Sequence, residues 1–126
     1  MVLTMLQPLA VESADSLTPE ALTKRIMLVD LYLFSNWKKT QYVFSLRYEK
    51  EKIGKVEKYV PELLVGLVGK ERQVSGKTLD ELFQTMKLEP QLFNQFINDV
   101  SIYVLADIFE EDVQVVQKLI NLSKAS

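Results

Sequence analysis

At 126 residues the chain has the length of one domain, and a composition 48% apolar and 25% charged excludes a mostly disordered protein. It contains neither cysteine nor histidine, which excludes disulfides, thiolate or imidazole metal ligands, and Ser-His or Cys-His catalysis from this chain alone. The net charge of −2 conceals a split: residues 38–77 hold ten of the fifteen Lys/Arg but five of the seventeen Asp/Glu, so that segment is net +5 and the remainder net −7.

Residues 1–17 read as a lead-in arm containing Pro8, and residues 18–126 as a single domain. The first basic residue is Lys24, so the basic start of a signal peptide is missing, and no apolar run approaches the ~18 residues of a membrane span. These features predict a cytosolic protein without a membrane partner. Thr18-Pro19-Glu20 has the order of an N-cap, a first-turn proline and a first-turn acid. Ile26, Val29, Leu33 and Trp37 then recur at helical spacing.

Residues 41–60 carry two signals. Tyr42, Phe44, Leu46 and Tyr48 alternate as in a strand. Over the longer window, a helix would place Tyr42, Leu46, Ile53, Val56 and Val60 on one face and Arg47, Lys50, Lys55 and Lys58 opposite, and this reading is preferred. Pro61 would then restart or kink a helix whose Leu63, Leu64, Leu67 and Val68 are apolar all round. Residues 70–77 read as an exposed basic loop. Thr78 and Glu81 have capping-box spacing, Pro90 opens the next helix, and Leu92, Phe93, Phe96, Ile97, Val100 and Val104 form its stripe. A last helix spans about 111–122, with Val113, Val116 and Ile120 on one face. The predicted fold is all-α, a compact bundle of five or six helices.

Asp107, Glu110, Glu111 and Asp112 form an acidic knot, best explained as acids at the N-terminus of the last helix rather than as a metal site. Gly66-Leu-Val-Gly69-Lys70 lacks the spacing of a phosphate loop. An enzyme would have to work with carboxylates or lysines alone, and neither a catalytic residue nor a cofactor is expected. The informative feature is the basic segment, where Lys38, Lys39, Arg47, Lys50, Lys55, Lys58, Lys70 and Arg72 are the candidate nucleic-acid contacts. Trp37, Tyr42, Phe44, Tyr48 and Tyr59 interleave with them as candidates for base stacking or for core packing. Such lysines and arginines would hold phosphates without reading sequence.

The stretch from Tyr59 to Tyr103 runs YVPELLVGLVGKERQ and then TLDELFQTMKLEPQLFNQFINDVSIY. Its cadence resembles the small subunit of type I CRISPR RNA-guided effector complexes, equivalent to the helical C-terminal region of their large subunit. The resemblance implies a non-catalytic, all-helical subunit that assembles with other subunits and with copies of itself. It also implies contacts from basic residues to the guide and target backbone. The competing expectation is a protein-interaction module without nucleic-acid binding, such as an assembly chaperone, an inhibitor or an immunity protein.

Overall fold

The computed structural model describes residues 18–125, so the expected arm over residues 1–17 lies outside the described residues. Two helices, α1 (Pro19–Tyr32) and α2 (Asn36–Lys39), lead into three strands, β1 (Tyr42–Ile53), β2 (Val56–Leu67) and β3 (Gln73–Gly76). Four helices follow: α3 (Leu79–Met86), α4 (Pro90–Asp99), α5 (Ile102–Phe109) and α6 (Val113–Ala125). The all-α bundle expected from the sequence is therefore corrected to a mixed architecture, an antiparallel β1-β2-β3 meander packed against helices.

The correction falls on residues 41–67. The chain reverses at Gly54-Lys55, a two-residue loop in which Gly54 takes φ +65° and Lys55 does not take a positive φ. Glycine first with positive φ is the pattern of a type II′ hairpin turn, whose twist matches that of the flanking strands. Register follows, with Ile53 opposite Val56, Tyr48 opposite Pro61 and Tyr42 opposite Leu67. Tyr42, Leu46, Leu63, Val65 and Leu67 face the helices and are buried. Val43, Arg47 and Glu49 face outward and are exposed. The helical apolar face drawn through Tyr42, Leu46, Ile53, Val56 and Val60 is in fact divided between the two sides of the sheet. Its opposing basic face is divided too, because Arg47 and Lys58 point outward whereas Lys50 lies on the helix side of the register.

Pro61 interrupts no ladder. At its pair with Tyr48 the backbone groups of β2 point toward β3, and β3 pairs with β2 only from Leu63 to Gly66. The expected loop over 70–77 is corrected in its second half, because Gln73–Gly76 form β3 with Val74 buried. Gly76 is required there: an added Cβ would lie 2.5 Å from the Leu82 backbone nitrogen, so β3 seats directly on α3.

Most helix boundaries agree with the sequence signals. The Thr18 hydroxyl accepts from the Ala21 N–H at 3.2 Å, and the Thr78 hydroxyl from the Glu81 N–H at 3.0 Å. Pro90 opens α4. The apolar stripe from Leu92 to Val104 is not one helix. It breaks at Val100, where the Ser101 N–H donates to the Leu33 carbonyl at 2.8 Å and Phe34 bridges Val100. One core joins the inner sheet face to all the longer helices. At its centre Phe34 stacks on Tyr42 with ring centroids 3.9 Å apart and meets Phe44 and Phe96 edge-on.

Candidate interaction surface

The eight cations singled out in the sequence do not form one surface. Lys38, Lys39, Lys70 and Arg72 sit at the base of the hairpin, near the Tyr42–Leu67 pair. Lys50, Lys55 and Lys58 sit toward its tip. Eleven register steps separate the two ends, about 36 Å at ~3.3 Å per residue. Arg47 lies between them on the outer face.

Five of the eight are held by carboxylates. Lys38 Nζ lies 3.0 Å from Asp99 Oδ1, and the Tyr42 hydroxyl donates to the other Asp99 oxygen at 2.6 Å. Lys39 pairs with Asp30 at 3.3 Å, Lys50 with Glu57 at 2.9 Å and Arg72 with Glu89 at 3.5 Å. Arg47 binds Glu62 directly across the β1–β2 ladder, with its Nε 2.7 Å from Oε1. The hydrogen bond to Glu62 raises the Arg47 pKa further, and Glu57 does the same for Lys50. The charge split seen along the sequence is thus largely complementarity within the fold, since Asp30, Glu89 and Asp99 belong to the acidic remainder and answer Lys39, Arg72 and Lys38. Among the described residues, Lys52, Lys55, Lys58 and Lys70 have no carboxylate within ion-pair distance.

The aromatic candidates separate in the same way. Tyr42 is buried, and burial together with Asp99 raises its pKa strongly. Phe44 and Tyr48 pack against the core, so neither offers a free stacking face. Tyr59 is half-buried opposite Lys50, whose ammonium sits 5.9 Å from its ring. Trp37 alone is open, at 68% exposure, with the Lys38 ammonium 4.4 Å from its ring.

Sequence reasoning missed a buried ionic cluster. Arg25 lies on the buried stripe of α1 with Leu22 and Val29, and only 1% of it is exposed. Its guanidinium meets the Asp107 carboxylate of α5, with Nε 3.6 Å from Oδ2, and Asp107 is 4% exposed. Tyr48 places its buried hydroxyl beside Arg25. Burial pushes the Asp107 carboxyl up to about 6, against the pull of Arg25 and with repulsion from Glu110. The legible signal was a basic residue at the spacing of an apolar stripe. Of the rest of the acidic knot, Glu110 stays near enough to repel Asp107 while turning the chain in the left-handed region, and Asp112 caps α6 by accepting from the Gln114 N–H at 2.8 Å. Among the described residues no group of three or more carboxylates is placed to hold a metal ion.

The strand edge is the remaining feature. Val68 N–H donates to the Gln41 carbonyl at 3.0 Å, one step beyond the Tyr42–Leu67 pair. The two-residue loop likewise closes on a hydrogen-bonded Ile53–Val56 pair. Antiparallel bonding alternates, so the odd-numbered residues of β1 bond to β2. The even-numbered ones, from Tyr42 to Lys52, turn their N–H and C=O groups away from it. Among the described residues no strand pairs with that side, leaving β1 as a 12-residue free edge there.

No helix among the described residues is long and apolar enough to cross a membrane. The chain matches no protein-family model, no curated protein and no solved structure. The Leu-rich run Tyr59–Leu67, which carried part of the resemblance to a helical CRISPR subunit, is strand β2.

Proposed function

We propose that the chain is a non-catalytic assembly module that binds another polypeptide by strand addition at β1. The observation that carries this reading is the free β1 edge, whose outward-directed backbone groups are able to pair with an extended segment. Two further features support it. The sequence lacks His and Cys, and its buried carboxylates Asp99 and Asp107 are engaged by Tyr42, Lys38 and Arg25 in the interior. Most of the cations expected to meet phosphate are engaged by neighbouring acids instead.

Lys50→Pro tests the reading. It removes an N–H directed to the free edge and none directed to β2. A partner retained by the full chain and lost by this variant, with crosslinks to Tyr48, Lys50 or Lys52, is the expected result. Equal capture by both chains would refute edge binding.

Nucleic-acid contact is the second reading, favoured by Lys52, Lys55 and Lys58, which lie without acidic partners in ion-pair distance around the hairpin tip, one on each strand and one in the turn. It requires binding to single- or double-stranded nucleic acid that weakens steeply with salt and is lost on Lys55→Glu. Salt-insensitive or absent binding would sink it.

A further inference from the structure

The β1 edge is selective about what can lie beside it. A pairing that continues the sheet must set the even-numbered residues against each other as hydrogen-bonded pairs and keep the helix-covered faces on one side. For two copies of this chain related by a two-fold axis, only a few registers then remain. Centring on Arg47 places that arginine against itself. Centring on Glu49 sets Arg47 against Glu51 twice but opposes two glutamates at the axis. Centring on Lys50 opposes two lysines as well as the Glu49–Glu51 like-charge pairs. Centring on Leu46 avoids repulsion but brings no opposite charges together.

The register centred on Tyr48 differs from all of these. Arg47 falls opposite Glu49 of the second copy, twice by symmetry. Val43 falls opposite Ile53, also twice, and both are exposed in the single chain. Ser45 meets Glu51, and no like charges are opposed. The ion pairs already present extend this row: Lys77 lies 3.8 Å from Glu49, and Arg47 binds Glu62. Across the joint the outer face would read Lys77, Glu49, Arg47, Glu62, alternating in sign through both copies. On the helix-covered side, Lys50 and Lys52 fall opposite Leu46 and Phe44, where their aliphatic stems lie on apolar neighbours while their ammonium groups reach water.

Resting on the assembly reading above, we infer that the β1 edge pairs with β1 of a second copy in the Tyr48-centred register, giving a continuous six-stranded sheet. The occupant is committed by charge complementarity, since this register opposes Arg47 to Glu49 twice with no like charges opposed, whereas each neighbouring register either opposes like charges or brings no opposite charges together.

Sedimentation of the full chain over about 1 to 500 μM, a range that spans weak symmetric contacts, tests it together with two reversed-charge variants. Arg47→Glu alone and Glu49→Arg alone each oppose like charges in the homodimer, so each dimerises at least tenfold more weakly than the unmodified chain. An equal mixture of the two restores the dimer, because every opposed pair is then of opposite sign. A chain that stays monomeric at every concentration overturns self-pairing, as do single variants that dimerise as well as the parent or a mixture that shows no rescue. Amide exchange on the unmodified chain supplies an independent readout, with concentration-dependent protection expected at Leu46, Tyr48 and Lys50. Its absence also overturns the inference. A monomeric chain whose binding to a different protein is abolished by Lys50→Pro would leave the assembly reading intact while rejecting the second copy as occupant.

Discussion

The Arg25–Asp107 pair makes the stability of this fold depend on pH in a direction opposite to most carboxylates. Asp107 titrates near 6 when folded, against 3.8 for the free side chain. The folded protein therefore holds a proton that the unfolded chain has already released. At 1.36 kcal/mol for each pH unit, that difference corresponds to about 3 kcal/mol. The contribution is fully present below about pH 4 and is lost as pH rises through about 6. Asp107→Asn keeps the shape and removes the titration. Urea unfolding of both proteins at intervals from about pH 4 to 7 isolates the effect, because every other group is shared. The unmodified protein should lose about 2 kcal/mol of that relative to Asp107→Asn across the interval. Parallel profiles would refute the claim that burial outweighs Arg25 in setting this carboxyl. Arg25→Met is expected to cost about 3–5 kcal/mol at neutral pH, since it leaves the carboxylate buried without its counter-charge. Adding Asp107→Leu to that variant should recover much of the loss.

Three smaller predictions address the scaffold. Gly76→Ala forces a Cβ to 2.5 Å from the Leu82 backbone, so it should destabilise strongly in thermal unfolding, whereas the tightest contact of Gly66→Ala, at 2.7 Å, is with the Gln73 side chain, which is able to move, and it should cost less. Thr78→Ala removes the cap accepting from Glu81 and should cost about 1 kcal/mol by urea unfolding. Tyr42→Phe leaves Asp99 with Lys38 but without a hydroxyl donor, and should cost about 1.5–3 kcal/mol in the same assay.

The helical half of the fold was legible because its ends are written locally. Thr18-Pro19, Thr78 with Glu81, and Pro90 each fix a helix start through one or two residues. The sheet was not legible for two reasons. In β1 the alternation is clear only from Tyr42 to Tyr48, and the distal half of the hairpin is charged on both sides because it extends past the core. In β2 the run Leu63–Leu67 is covered on one face and half-covered on the other, so it lacks the alternation that marks a one-sided strand. The decisive clue was short: Gly54-Lys55 between two β-rich runs. The basic segment was legible as composition but not as a surface, because Asp30, Glu89 and Asp99 come to Lys39, Arg72 and Lys38 only through tertiary contacts. Arg25 showed the converse, a charge whose burial depends on Asp107 lying far along the chain.

Amide exchange of the dilute monomeric full chain, resolved residue by residue along β1, tests the free edge most directly. The N–H groups of Leu46, Tyr48 and Lys50 should exchange rapidly while those of Ser45, Arg47 and Glu49, bonded to β2, are protected. Slow exchange at the even-numbered positions in the monomer would mean that the edge is already covered, and would contradict both strand addition and the pairing built on it.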